Sequence, residues 1–269
     1  MTTALPKNEV HLWCVAWTRL TDPALLARYE SLLTEEETTS YRRFYFEEGR
    51  REYLMTRALV RDVLSRYEPD VAPARWRFVR SSYGRPSIAP ELGVRNLVFN
   101  LSNTKGLVVC AVGRDELGCD VEPIDRGEKV LPIADSVFSP NELATLRALP
   151  EAKQTRRAIE LWTLKESFIK ARGMGLSLPL DRFTMVFEGD ASATPAGASP
   201  AGASPTSTTP AGASPRIVIR IDPSIDIAGQ RWQLALLPME SHLVALCMER
   251  GGSDADKSVL VRHIVPLEG

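Results

Sequence analysis

Apolar residues fall along this chain in short runs separated by turns, apart from a few longer stretches in which they recur every three or four positions. His11 to Trp17 (HLWCVAW) is a compact apolar run that predicts a buried strand. Asp22-Pro23 is a helix-start pair, and Thr34 with Glu37 three residues later matches a capping box. Two helices are expected to begin there. A third is predicted over roughly Glu47 to Tyr67, where Met55, Leu59, Val60, Val63, Leu64 and Tyr67 form an apolar stripe and Arg51, Arg57 and Arg61 are left to other faces.

Short strands are predicted at Trp76 to Arg80, Leu97 to Leu101 and Leu107 to Val112, the first two joined through the turn Tyr83-Gly84-Arg85-Pro86. From Arg114 the order of elements repeats. A strand at Gly118 to Glu122 is followed by helical stretches from Pro140 and from about Arg156 to Arg172. Strands then come at Phe183 to Glu188, Arg216 to Ile221, Trp232 to Leu237 and Leu243 to Met248. The pattern predicts an α/β (α+β) chain of two similar units, residues 1–113 and 114–250, with a polar tail over 251–269. Between 189 and 215 the composition turns to Ala, Gly, Ser, Thr and Pro, with PAGASP repeated. Such a segment buries too little apolar surface to offset its ordering entropy, so a disordered insertion in a hairpin loop is expected.

Composition narrows the function classes. Of 269 residues 44% are hydrophobic and 25% charged, ordinary for a soluble globular protein. The 33 Lys and Arg are balanced by 34 Asp and Glu, which argues against the basic face of a nucleic-acid binder. Cys14, Cys110, Cys119 and Cys247 each sit in an apolar run and form no CxxC pair, so they read as core residues in a reducing cytosol. With no apolar run near the ~20 residues that span a bilayer, a cytoplasmic protein without membrane attachment is expected. His11, His242 and His263 lie too far apart for a local zinc motif and read as structural.

Three segments carry candidate chemistry. Gly118-Cys119-Asp120-Val121-Glu122-Pro123 puts two carboxylates two positions apart, so both project from one face of a strand. Alone, this reads as a solvated strand face; the other reading is a Mg²⁺ site, because a hard cation takes a couple of carboxylates and fills its shell with water and substrate phosphate. In Trp162 to Lys170 (WTLKESFIK), Trp162, Glu166 and Lys170 recur along one helix face. A salt-bridged surface helix has the same pattern, but a large aromatic beside an acid and a base favours a cleft wall. One carboxylate for a metal and one ammonium for phosphate oxygens is the pair that phosphoryl-group chemistry requires. Phe99 to Thr104 (FNLSNT) ends an apolar strand in small hydrogen-bonding residues, which ordinary turn chemistry explains equally well. With Arg80, Arg85 and the Gly84-Arg85-Pro86 turn, it offers cations and neutral donors for a phosphate.

FNLSNT, GCDVEP and WTLKESFIK, in this order and at these separations, resemble the signature motifs of the Sfp-type 4′-phosphopantetheinyl transferases. The YRRF stretch at Tyr41 to Phe44, the YGRP turn and the FSPNE stretch at Phe138 to Glu142 match too, so the resemblance covers roughly residues 10 to 250. It implies a pseudo-twofold monomer of two α/β halves, with coenzyme A and Mg²⁺, or Mn²⁺ in its stead, bound between them. It further implies transfer of the phosphopantetheine arm to a serine of an acyl or peptidyl carrier protein. Asp120, Glu122 and Glu166 would be the metal ligands. Lys170 and Lys165 would neutralise the pyrophosphate, and Trp162 would wall the cleft. Arg85 and Pro86 would border the adenine, while Ser102, Asn103, Arg80 and Arg43 would hold the ribose phosphate.

Glu166 would take the serine proton, directly or through water, with Glu142 in reserve. Glu142 also reads as a helix N-terminal acid after Ser139-Pro140. Two departures stand out: Asn103 occupies a position where the family commonly has His, and Glu37 and Ser40 stand where some relatives carry lysines. Two rival readings are a different Mg²⁺-dependent enzyme acting on a nucleotide diphosphate and a non-catalytic module that binds coenzyme A or a carrier.

Overall fold

The computed structural model describes residues 3–189, 216–223, 225, 231–252 and 255–268. Strand β1 (Glu9–Val15) is followed by α1 (Pro23–Glu30), α2 (Glu35–Arg42) and the long α3 (Glu47–Tyr67). Next come the hairpin β2 (Phe78–Arg80) and β3 (Pro86–Ile88), then β4 (Val98–Thr104) and β5 (Leu107–Gly113). A second series runs through β6 (Leu117–Pro123), α4 (Gly127–Val130), α5 (Ala134–Val137), α6 (Pro140–Ala148) and the long α7 (Glu151–Arg172). It continues with β7 (Phe183–Glu188), β8 (Arg216–Ile221), β9 (Trp232–Met239), β10 (His242–Glu249) and β11 (Ser258–His263).

The strand order β1-β5-β4 in the first sheet recurs as β6-β10-β9 in the second. Each series thus threads a strand, a long helix, a short hairpin and an antiparallel strand pair. The helix starts follow from local chemistry. Asp22 accepts the Ala24 N–H, and the Thr34–Glu37 capping box forms as the sequence indicated. The predicted stripe of α3 is buried in the first core, beside Trp13, Trp17, Trp76 and Phe99. The four cysteines are free and buried, and His11 is satisfied inside, its Nδ1 2.7 Å from the Tyr67 hydroxyl.

Some expectations need correcting. The first strand runs Glu9–Val15, and Trp17 belongs to the 3₁₀ turn after it. Arg61, which lies off the apolar stripe as expected, is nonetheless fully buried; its guanidinium meets Glu37 at 2.6 Å and the Leu32 carbonyl at 3.0 Å, tying α3 to α2 and the turn before it. The expected polar tail supplies β11, which pairs parallel with β1 and is anchored where buried Lys257 reaches Asp115 at 2.6 Å. β7 and β8 pair as an antiparallel hairpin with the predicted bounds. Residues 190–215, the body of the expected insertion, lie outside the described residues.

The seam between the two sheets is where position matters most. β4 and β6 are edge strands of different sheets, and their join is made by side chains. Asn100 Oδ1 accepts the Cys119 N–H at 3.0 Å, and Ser102 Oγ accepts the Val121 N–H at 3.1 Å. Alternate β4 side chains thus satisfy the edge of β6 without a backbone ladder. On its other side β6 lies so close to α7 that a Cβ on Gly118 would fall 2.1 Å from the Ser167 carbonyl oxygen.

Candidate active site

Three elements meet at the seam: β4, β6 and α7. Between Leu161 and Ala171 every residue of α7 is buried except Trp162, Glu166 and Lys170, a half-exposed stripe one side chain wide. Lys170 Nζ lies 2.7 Å from Asp120 Oδ1 and 2.8 Å from Ser102 Oγ, and Ser102 donates to the same Asp120 oxygen at 3.0 Å. One residue from each element therefore closes an acid–hydroxyl–ammonium cluster in which Asp120 and Ser102 are buried and Lys170 stays half-exposed. Burial alone would lower the Lys170 pKa, but Asp120 and Cys119 outweigh it and leave the ammonium above the ordinary lysine value.

Asp120 is buried, and its second oxygen, Oδ2, has no hydrogen-bond partner. Glu122, two residues on and on the same face, is buried as well. Its carboxylate is held by Arg126, whose Nη1 is 2.6 Å from both oxygens, and by the Trp162 indole N–H at 3.2 Å. Burial, then repulsion from Asp120, pushes the pKa of both Glu122 and Glu166 upward. The three acids thus feel one another across the seam. Among the described residues, however, no three His, Cys, Asp or Glu side chains stand close enough to hold an ion together.

A cleft of about 250 Å³ opens beside this cluster, lined by Glu166 and Lys170, by Asn100 and Leu101, and by the turn Tyr83 to Pro86. Arg85 is fixed by Glu116 at 2.6 Å and donates to the Ala171 carbonyl at 2.9 Å, so the turn from the first series is tied to the end of α7. Gly173 ends α7 in the left-handed conformation, φ 63°, and passes so near Arg85 that a Cβ there would sit 3.0 Å from its Cδ. Arg80 is exposed at the rim, its guanidinium 3.3 Å from the Gly84 carbonyl.

The structure gathers Asp120, Glu166, Lys170, Ser102, Arg85 and Pro86 around one cleft, with Glu122 and Trp162 alongside. It places other expected residues elsewhere. Lys165 and Glu142 form a closed ion pair at 2.8 Å, both without side-chain exposure. Lys165 also donates to the Leu180 and Phe183 carbonyls. Glu142 completes a capping box with Ser139 and accepts the Met185 N–H at 2.7 Å. Neither can touch a ligand in the cleft, which corrects their expected catalytic and pyrophosphate roles.

Asn103 points to the opposite face of β4 from Ser102 and donates to Glu52 at 2.6 Å. Ser102 is spent on Asp120, Lys170 and the β6 backbone, which leaves it no free donor for a ribose phosphate. Arg43 is an exposed C-cap of α2. Sequence reasoning missed Arg126 and Glu116, the partners that fix Glu122 and Arg85. The spacing of Arg126 four residues beyond Glu122 is the one signal that could have found the first of them.

Among the described residues no helix is long and apolar enough to cross a membrane. The sequence matches two family profiles, "4′-phosphopantetheinyl transferase, N-terminal" over residues 17–114 and "4′-phosphopantetheinyl transferase superfamily" over residues 116–209. The 4′-phosphopantetheinyl transferase HetI of Nostoc sp. is 32% identical over 64% of this chain and 72% of its own length. The 4′-phosphopantetheinyl transferase Sfp of Bacillus subtilis is 37% identical over 62% of this chain and 72% of its own. Among solved structures, a holo-(acyl-carrier-protein) synthase from Bacillus anthracis in complex with CoA (3′,5′-ADP) matches 50% of this chain and 94% of its own, with 14% identity and a TM-score of 0.36. With two such relatives matched over most of their length, the chain belongs to the 4′-phosphopantetheinyl transferase superfamily.

Proposed function

We propose that the seam between β4, β6 and α7 transfers the phosphopantetheine arm of coenzyme A to a serine of an acyl or peptidyl carrier protein. The observation that carries this reading is the convergence of Asp120, Glu166 and Lys170 beside the cleft walled by Tyr83 to Pro86. An ammonium and two acids at the edge of a cleft suit a pyrophosphate and its counter-ion, and Arg85 and Pro86 suit the flat, polar rim of an adenine.

The donor set fits Mg²⁺. Asp120 Oδ2 is a buried carboxylate oxygen without a partner, and burial followed by repulsion from Asp120 raises Glu122 and Glu166, a crowding of like charge that a divalent cation relieves. Mg²⁺ takes only one or two protein carboxylates when substrate phosphates complete its shell, so Asp120 and Glu166 suffice and a preformed cage of three is unnecessary. Glu122 would join once Arg126 released its carboxylate. When bound, the ion would neutralise charge developing on the phosphate oxygens.

The chain's own residues do the rest. Lys170, held by Asp120 and Ser102, presents its ammonium to the pyrophosphate from a fixed position. The carrier serine Oγ forms a bond to the β-phosphorus as the bond to the 3′,5′-ADP oxygen breaks. Glu166, half-exposed and raised by burial and by Asp120, accepts the serine proton. The test is incubation of apo carrier proteins with coenzyme A and Mg²⁺. A gain of ~340 Da on the carrier, the mass of the transferred group, is the expected result. No gain across fatty-acid, polyketide and peptide carriers would refute the reading. We place the protein in the cytoplasm as a monomer, with gel filtration at micromolar concentration as the check on the second point.

A further inference from the structure

The cation nearest Glu122 is a protein side chain. Arg126 Nη1 lies 2.6 Å from Glu122 Oε1 and 2.6 Å from Oε2, so one positive nitrogen sits equidistant from both oxygens. That is the position an ion chelated by this carboxylate would take. Arg126 reaches it from the 3₁₀ turn Ile124–Arg126, which directly follows β6. Its guanidinium also lies 5.8 Å from the centre of the Trp162 ring, whose indole N–H donates to Oε1.

The two partners differ in freedom. The Glu122 side chain is 8% exposed and the Arg126 side chain 45% exposed. The carboxylate has nowhere else to go, whereas the guanidinium can swing into water by rotation about its own long stem. We propose that Arg126 is a placeholder for the divalent cation: it holds Glu122 while the site is empty, competes with the ion for both oxygens, and must leave when the ion arrives. The inference rests on the metal site proposed above. It accounts for how Glu122 is held buried beside Asp120, with the Arg126 guanidinium rather than Asp120 or Glu166 against both of its oxygens.

A thermodynamic cycle tests it without turnover. Mn²⁺ binding to the free protein, read by the loss of the free-ion electron paramagnetic resonance signal, is compared for wild type, Arg126→Gln, Glu122→Gln and the double variant, with Asp120→Asn as control. Competition predicts that Arg126→Gln tightens Mn²⁺ about threefold to tenfold, the scale of a partly exposed ion pair. In the Glu122→Gln background the same change should alter affinity by less than about twofold, because the contested ligand is gone. Unchanged or weaker binding in Arg126→Gln overturns the proposal. So does equal tightening in both backgrounds, which would mean general charge repulsion. Wild-type Mn²⁺ affinity in Asp120→Asn would sink the metal site itself, a separate outcome. Arg126 lies at the surface, and thermal melts of each variant confirm that the comparison is between folded proteins.

Discussion

Lys165 Nζ and Glu142 Oε2 meet at 2.8 Å in the second core, and neither side chain reaches solvent. Burial lowers the lysine's pKa and raises the carboxylate's, while each partner's charge opposes the shift of the other. Removing one partner strands the other charge in an apolar interior. Lys165→Met or Glu142→Gln is therefore expected to cost about 3 kcal/mol or more of stability, and the pair of changes less than the sum of the two. Urea denaturation measures both. A single variant that melts like wild type yet has lost transfer would return the residue to the active site.

Asp120 is the hub of the seam, bonded to Lys170 and Ser102 with one oxygen unpartnered. Asp120→Asn keeps the shape and removes the charge. The expected result is a drop in kcat of about a hundredfold or more with the melting temperature within a few degrees of wild type. Transfer at more than a third of the wild-type rate would remove Asp120 from the proposed metal site.

Lys170 bridges α7 to both strands of the seam, so its charge and its reach should be separable. Lys170→Met should raise the KM for coenzyme A about tenfold or more and leave the KM for the carrier nearly unchanged, since the ammonium is assigned to the pyrophosphate. Lys170→Arg, charged but with a planar fork in place of a compact head, should fall between. Equal increases in both KM values would point to general damage at the seam. Steady-state kinetics with each substrate varied in turn decides it.

Much of the scaffold was legible because its signals are local. The Thr34–Glu37 capping box and the bounds of α3 depend on neighbours a few residues away, and the short apolar runs at β7 and β8 marked the bounds of those strands. The acid pair on β6 and the stripe Trp162, Glu166, Lys170 were legible for the same reason, since strand and helix periods fix which side chains share a face. What was hidden depends on partners far along the chain. Arg61 lies off the apolar stripe of α3, and nothing near it in the sequence indicates that Glu37 of another helix holds it buried. β11 looked like a tail because its partner is the first strand. Lys165 and Glu166 are adjacent in sequence and point to opposite fates, one into a closed ion pair and one onto the cleft. No motif distinguishes them, because the difference is made by Glu142, supplied from another helix.

Gly118 offers a test of how far the chemistry depends on packing. It lies at the start of the acid-bearing strand, where α7 passes against the backbone, and an added Cβ would stand 2.1 Å from the Ser167 oxygen and 2.3 Å from the Ala171 nitrogen. Those are backbone atoms of a buried helix and cannot yield by a rotamer change. Gly118→Ala must push α7 away from β6, at a cost of about 1–3 kcal/mol or more in stability. Because Glu166 and Lys170 ride on α7 while Asp120 rides on β6, the same displacement lengthens the 2.7 Å contact between Lys170 and Asp120. A shift of about 1 Å at a positioned catalytic group is enough to lose roughly a hundredfold in rate. The variant should therefore lose transfer at temperatures well below its melting point, a loss of function in the folded state. If folded Gly118→Ala protein transfers at the wild-type rate, the spacing of strand and helix does not set the geometry of the site.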